Sequence, residues 1–301
     1  NGTNNGSIDL TVAGGTPAYN YLWAGPNGFA ATIQDINSLP PGNYTVTITD
    51  ATGLCTVTQT YTITEPLPLA LSSVVSDFNG FEIACFGGTS GSINVTPSGG
   101  TGTYSYQWTG PNGFVATTQD VANLAVGTYT LTMKDSNNCA LAVQTYTLNQ
   151  PAAITVTETH VNVLCFGAAT GSIDVTVTGG VTSVSGGYTF AWTGPNSFLA
   201  TTEDLNNIGA GTYNLTITDD SGCTRTLVVV VTQQPEIIIT PATTPISCYG
   251  ANDATITLNI TGGDAPYVAE WNNLAVGTFQ DNLAAGNYVI TVTDDSGCQK
   301  Q

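Results

Sequence analysis

Basic side chains are nearly missing from this 301-residue chain: Lys134, Arg225 and Lys300 stand against 21 Asp and Glu, for a formal net charge of −18. Nucleic-acid binding needs cations that displace counterions from phosphates, and anionic lipid surfaces attract basic segments, so this balance excludes both as partners. Long hydrophobic runs are missing too. The longest aliphatic stretch, LVVVV from Leu227 to Val231, is far shorter than the ~20 apolar residues of a membrane helix and reads as a buried strand. No direct membrane insertion is expected of this segment. No signal-like stretch with a basic flank opens the sequence, so targeting information is expected to lie outside it. Histidine occurs once, at His160, and the other repeats carry none at the equivalent place. A Ser/His/Asp or Cys/His mechanism would have to be built on that residue alone, with no nucleophile beside it. Cys165 follows five residues later but recurs as Cys85 and Cys248 without a histidine, which marks it as structural. Close Cys or His pairs of the zinc-binding kind are absent.

What the chain has instead is a unit repeated four times. Charged residues make up 8% of it, against roughly 25% in a typical soluble domain, and Gly, Thr, Asn, Val and Tyr are abundant. The third copy reads ITVTETHVNVLC, GSIDVTVTGG, YTFAWTGPNSF, TTEDLNNIGAG, TYNLTITDDSGC and TRTLVVVVTQQP. Each piece alternates apolar residues with Thr, Asn or Asp, and Gly, Pro, Asn or Asp clusters separate the pieces, so the pattern predicts strands and turns throughout. Trp23, Trp108, Trp192 and Trp271 recur on the third strand, and Tyr44, Tyr129, Tyr213 and Tyr288 open the strand after a Gly turn. A buried strand-C Trp with a corner Tyr before strand F is the immunoglobulin-like arrangement. The expected fold is therefore all-β: a tandem array of small immunoglobulin-like (PKD-like) β-sandwich domains forming a rod. Proline-marked joints at Pro66, Pro151 and Pro235 predict repeats over 1–66, 67–150, 151–234 and 235–301. The first copy lacks its opening strand and the fourth its closing one, as expected of a piece cut from a longer array.

The unit resembles the SprB repeat, found in tandem in very large surface adhesins of gliding Bacteroidetes. The residues that carry the resemblance are CFGGTSGSINVTPSGG at 85–100, CFGAATGSIDVTVTGG at 165–180, the Y-x-Y-x-W strand, the NLAVGTY turn and the D-x-x-G-C ending. The last copy departs from the pattern, with DATI for GSI and WNNLAVGTF for W-x-G-P-N-x-F. The resemblance implies type IX export, an extracellular place on the bacterial cell surface, and a stalk or filament role in adhesion or gliding motility. It transfers no catalytic residue, and no enzyme is expected.

Seven cysteines occupy two repeat positions: Cys85, Cys165 and Cys248 before the second strand, and Cys55, Cys139, Cys223 and Cys298 after the acidic hairpin. Aligning NGTNNGSI on FGGTSGSI predicts an eighth immediately before Asn1. Regular spacing in an exported, small-cored chain argues for disulfides. Pairing within a repeat joins Cys85 to Cys139, Cys165 to Cys223 and Cys248 to Cys298. Those loops span 54, 58 and 50 positions by subtraction, and each closure is worth roughly 4 kcal/mol in the chain-entropy model. Pairing between neighbours joins Cys85 to Cys223 and Cys165 to Cys298, with Cys55, Cys139 and Cys248 bridging beyond the chain. If the unit runs A, B, C, C′, E, F, G, the two cysteines of one repeat lie at opposite ends of a sandwich about 25 Å long, beyond the reach of about 7 Å that a disulfide allows. One strand fewer reverses that conclusion, and both pairings stay open.

Other candidates are weaker. The acidic turns at Asp50, Asp135, Asp219 and Asp294 offer carboxylates to calcium, but D-x-x-G is also ordinary hairpin chemistry, and no cofactor is otherwise implied. Glu203 and Asp204 look like a glycosidase pair, yet the other copies place Gln34, Gln119 or Gln280 beside Asp35, Asp120 or Asp281. A turn-backbone role is expected for that Asp. The GPNGF and GPNSF loops present Phe29, Phe114 and Phe198 either as core-edge closures or as a row of sticky tips. N-x-T triplets at Asn1, Asn43, Asn94, Asn214 and Asn259 read as a by-product of strand alternation. The functional expectation is a structural stalk that holds a terminal binding region away from the cell, four sandwiches reaching on the order of 150 Å. Neighbouring repeats are its first partners. The alternatives are a carbohydrate-binding array acting on a surface polysaccharide through avidity, and self-association through sheet edges into a filament or sheath.

Overall fold

The computed structural model describes residues 4–182 and 187–301. Two compact units emerge, Asn1–Ser76 with Thr89–Asn149, and Asp77–Gly88 with Gln150–Gln301. Both are built from antiparallel sheets, and the described residues contain no helix beyond single 3₁₀ turns. The period-two pattern explains the strands directly. In Gly127–Lys134, Tyr129, Leu131 and Met133 point inward and are buried, while Thr128, Thr130 and Thr132 face out.

In the first unit the most regular sandwich has seven strands. Ala70–Val75 (A), Gly91–Ser98 (B) and Val121–Leu124 (E) form one sheet, in the order E-B-A. The other, in the order C′-C-F-G, contains Val115–Ala116 (C′), Ser105–Thr109 (C), Gly127–Lys134 (F) and Gln144–Leu148 (G). The preceding sandwich repeats the four-stranded sheet but opposes it with Gly6–Ile8 and Ile36–Leu39 alone. In the second unit the three-plus-four arrangement returns between Thr155 and Val231, followed by a reduced sandwich of three strands on three.

The cores lie between facing sheets. Trp23, Trp108, Trp192 and Trp271 are 0–3% exposed, each on strand C. Burial of 150–250 Å² per aromatic ring makes these the largest single contributions to cores this small. Tyr44, Tyr129 and Tyr213 are buried, and their hydroxyls donate to the carbonyls of Pro40 (2.8 Å), Ala125 (3.0 Å) and Gly209 (2.9 Å), closing the corner before strand F.

Two expectations are corrected. Tyr288 makes the same corner bond, to Ala284 at 3.0 Å, but is only half-buried, and its strand begins late, at Ile290. The reason is local. In the other copies a Phe covers this Tyr edge-on, at 5.3–5.4 Å between ring centroids. In the fourth, a short turn through Leu274 (φ 68°) replaces that loop, and Tyr288 leans on Trp271 instead. The Leu227–Val231 run is not wholly buried: Val229 and Val231 face the core, while Val228 and Val230 are more than half exposed. It is the edge strand G, covered on one face only.

Candidate functional site

The acidic hairpin is assembled around one carboxylate. Asp135, Asp219 and Asp294 are buried, and their Oδ1 atoms accept from the backbone N–H of Cys139 (2.9 Å), Cys223 (2.8 Å) and Cys298 (2.8 Å). Their Oδ2 atoms accept from Thr101 (2.9 Å), Val181 (2.9 Å) and Asp264 (3.0 Å), tying the hairpin to the loop after strand B. Each Asp N–H donates in turn to the carbonyl of its cysteine at 3.0 Å. For Asp135, burial pushes the carboxyl up, but hydrogen bonds from Cys139, Thr101 and Asn137 outweigh it and hold the group below the usual carboxylate range. The first hairpin is one residue longer, and Asp50 bonds the Thr52 hydroxyl at 2.6 Å; that bond leads in lowering its pKa. These four carboxylates, the calcium candidates, are occupied by backbone and hydroxyl donors. Among the described residues no three His, Cys, Asp or Glu side chains gather as a metal site would require.

The leading cysteine sits on a second fixed turn. The carbonyls of Cys85, Cys165 and Cys248 accept from Gly88 (2.9 Å), Ala168 (3.1 Å) and Ala251 (2.9 Å), with Gly87, Gly167 and Gly250 at φ of 71–82°. That left-handed third position calls for glycine in a type II turn. Gly87 N–H donates to Gln150 Oε1, and Gly167 N–H to Gln233 Oε1, both at 2.8 Å, so each loop is held by the end of its own repeat. Val163 N–H adds a bond to the Thr232 carbonyl at 2.8 Å.

These two turns meet across successive repeats. Cys85 is bonded to Cys223 and Cys165 to Cys298, with Cα atoms 5.6 and 5.5 Å apart. Neither Cys85–Cys139 nor Cys165–Cys223 is formed. Between the two cysteines of one repeat run five strands, B, C, C′, E and F, and this odd number carries the chain to the far end of the sandwich. Cys55, Cys139 and Cys248 are free thiols, the first and last exposed.

The remaining candidates serve structure. His160 lies near the end of Thr155–Val161, partly exposed and paired across the sheet with buried Ile173, with Nδ1 3.1 Å from Glu158. Phe29, Phe114 and Phe198 are half-buried against Tyr44, Tyr129 and Tyr213. Asn43, Asn94, Asn214 and Asn259 are exposed on strands, and Asn1 lies outside the described residues. The Asp beside Gln or Glu binds strand B rather than a turn. Asp35, Asp120 and Asp204 accept from Leu10, Val95 and Val175 N–H at 2.8–2.9 Å, and Gln34 and Gln119 return a bond to the Leu10 and Val95 carbonyls. Asp281 has Asn282 instead. Sequence reasoning missed a second tyrosine: Tyr19, Tyr104, Tyr188 and Tyr267 donate to the carbonyls of Gly14, Gly99, Gly179 and Gly262. Its signal was the fixed place of this Tyr, four residues before the Trp.

The model of the SprB repeat family matches residues 1–28, 82–113, 157–197 and 240–276, one segment in each copy. The chain carries four SprB repeats. Each match spans the leading loop, strand B and the Trp strand, while the hairpin cysteines lie outside. SprB repeats are surface-associated, and this chain is an adhesin-like repeat region. No curated protein matches the chain in sequence. Solved structures of similar fold include the N-terminal eight Ig domains of Down Syndrome Cell Adhesion Molecule (11% identity, TM-score 0.23), where the alignment covers 98% of this chain and 57% of that one. Extracellular domains 3–5 of Drosophila OTK share 12% identity at a TM-score of 0.28, over 72% of this chain and 86% of that one. A tetra-tandem repeat from the extending region of a large adhesion protein shares 13% at 0.24, over 93% and 81%. No helix among the described residues is long and apolar enough to cross a membrane.

Proposed function

We propose that these SprB repeats are a stalk segment of a very large bacterial cell-surface adhesin, exported by the type IX route, whose task in attachment or gliding is to transmit pull without coming apart. The joints are those at Pro66, Pro151 and Pro235. One observation carries the reading: the two disulfides overlap along the chain. Between Cys85 and Cys298 they leave two separate covalent routes. One follows the backbone for 80 residues (165 minus 85) and crosses to Cys298; the other crosses to Cys223 and follows the backbone for 75 (298 minus 223). Any single backbone break between Cys85 and Cys298 leaves the chain connected. The four strand-C Trp and the corner residues Tyr44, Tyr129 and Tyr213, which a sugar-binding array could have presented, are engaged in the cores, which favours the stalk.

Single-molecule pulling from the chain ends tests this. With disulfides intact, the 138 residues between Cys85 and Cys223 stay out of the pulled path. Reduction should release an extra contour length of roughly 450–500 Å, at about 3.3–3.6 Å per residue. Equal lengths in the oxidised and reduced states would contradict the proposal.

A further inference from the structure

Two of the chain's three cations, Arg225 and Lys300, occupy one repeat position, two residues after the hairpin cysteines Cys223 and Cys298; the first and second copies have Val57 and Leu141 there. Each cation lines a cavity at a bonded junction. Arg225 shares 280 Å³ with Phe86, Ala153 and Ile154, and Lys300 shares 180 Å³ with Phe166, Glu236 and Ile237. The two cavities are equivalent. Gly180 N–H donates to the Ala152 carbonyl and Gly263 N–H to the Pro235 carbonyl, both at 2.9 Å, which sets Ala153 and Glu236 at the same place one residue further on.

They differ in what faces the cation. In the fourth copy Glu236 Oε1 accepts from Lys300 Nζ at 2.8 Å, so that cavity carries its own carboxylate. In the third copy Ala153 supplies none. The other ion pair among the described residues is His160–Glu158, so Arg225 is exposed and unpaired in a chain with 21 acidic residues. Buried Asp219, which also lines the Arg225 cavity, is not its partner: its oxygens accept from the N–H groups of Cys223, Ser221 and Val181 at 2.8–3.0 Å. Asp294 is held in the same way by Cys298 and Asp264 N–H, and Glu236 still reaches Lys300 beside it. The hairpin carboxylate therefore does not keep a second carboxylate away from the cation.

We propose that the Arg225 cavity binds a carboxylate from outside the chain, in the place that Glu236 takes in the next copy, and that the ligand is a uronic acid unit of a saccharide. A guanidinium presents a planar fork of donors that grips a carboxylate bidentately, which an ammonium cannot do. Phe86, 60% exposed, and Ile154 give the site an apolar flank for the face of one sugar ring. At 280 Å³ the cavity falls just below the usual range of small-molecule sites, which suits a single ring. A glutamate side chain of a protein partner brings the same carboxylate but leaves Phe86 without a ring to cover. The net charge of −18 repels a polyanion, so the fit is to isolated uronic acid units set among neutral sugars. The site is independent of the mechanical role of the stalk, since it needs only the Cys85–Cys223 junction to be closed.

The test titrates the whole, isotope-labelled, oxidised chain by NMR with three probes: methyl glucuronide, methyl glucoside, and glutamate capped as its N-acetyl amide. The glucuronide should shift the amide signals of Ala153, Ile154 and Thr224. It should bind about tenfold or more tightly than the glucoside, which lacks the carboxylate, and more tightly than the capped glutamate, which lacks the ring. Arg225→Ala should abolish binding. Ala153→Glu keeps the cation but supplies the carboxylate that Glu236 supplies in the next copy, and it should block the site as well; near-UV circular dichroism confirms that both variants fold. Absence of any glucuronide-induced shift, binding that survives either substitution, or equal binding of the glucoside or the capped glutamate would overturn the proposal.

Discussion

Removing the Cys165–Cys298 bond should uncouple the weakest sandwich from its neighbour. The fourth copy pairs three strands on three; its F strand is four residues long and its G strand two. Cys298 is itself part of that core, buried with Ile237, Leu258 and Trp271. The bond closes a loop of 133 residues, worth at most about 5 kcal/mol in the chain-entropy model; disulfides commonly deliver about 2–4. In a domain of this size each kcal/mol shifts Tm by roughly 4–8 °C. The double variant Cys165→Ala/Cys298→Ala should therefore melt residues 235–301 as a separate transition, lowered by on the order of 10–30 °C. Calorimetry shows the added transition, and hydrogen exchange assigns it to those residues. A fourth repeat that melts within 2–3 °C of the parent chain refutes the reasoning, because such an outcome would leave the bond with neither an entropic nor a packing role.

Further expectations follow from the same geometry. A protease site placed between Gln234 and Pro235 should be cut without separating the pieces on a non-reducing gel, and reductant should release them; release without reductant contradicts the bridge between repeats. Tyr213→Phe removes the hydroxyl that donates to Gly209 and should cost about 0.5–1.5 kcal/mol in urea unfolding. Tyr288→Phe, whose bond to Ala284 is exposed, should cost less, and the reverse order would count against the corner as described. Trp192→Ala, at 1% exposure, should cost about 3–5 kcal/mol and unfold its copy at growth temperature. Because the folded Asp135 carboxyl titrates below its unfolded value, its contribution is present above about pH 4 and disappears as pH falls through the lower folded value. Asp135→Asn should flatten that acid-side loss of Tm, and an unchanged acid slope in the variant would remove the hairpin carboxylate from the account.

Much of the fold was legible because four copies supplied an internal comparison. Recurrence picked out the Trp and Tyr positions, and period-two alternation drew the strands. The partial exposure of Val228 and Val230 was not legible, since an aliphatic run carries no mark of which face its sheet leaves uncovered. Tyr288 was misread because its burial depends on a Phe that its own strand does not contain. The Asp beside Gln34 or Gln119 looked like turn chemistry, although its partner, the strand-B backbone, lies about 25 positions away. Disulfide pairing depended on strand parity. Spacing placed two cysteines in each repeat, but only the seven-strand count sets them at opposite ends of a sandwich.

Disulfide mapping of the oxidised chain tests the central claim most directly. Trypsin has only Lys134, Arg225 and Lys300 to cut at, so digestion must be aromatic- or acid-specific, under non-reducing conditions that block free thiols. Peptides linking Cys85 to Cys223 and Cys165 to Cys298 are predicted; a Cys85–Cys139 or Cys165–Cys223 peptide in their place would show that each repeat closes on itself.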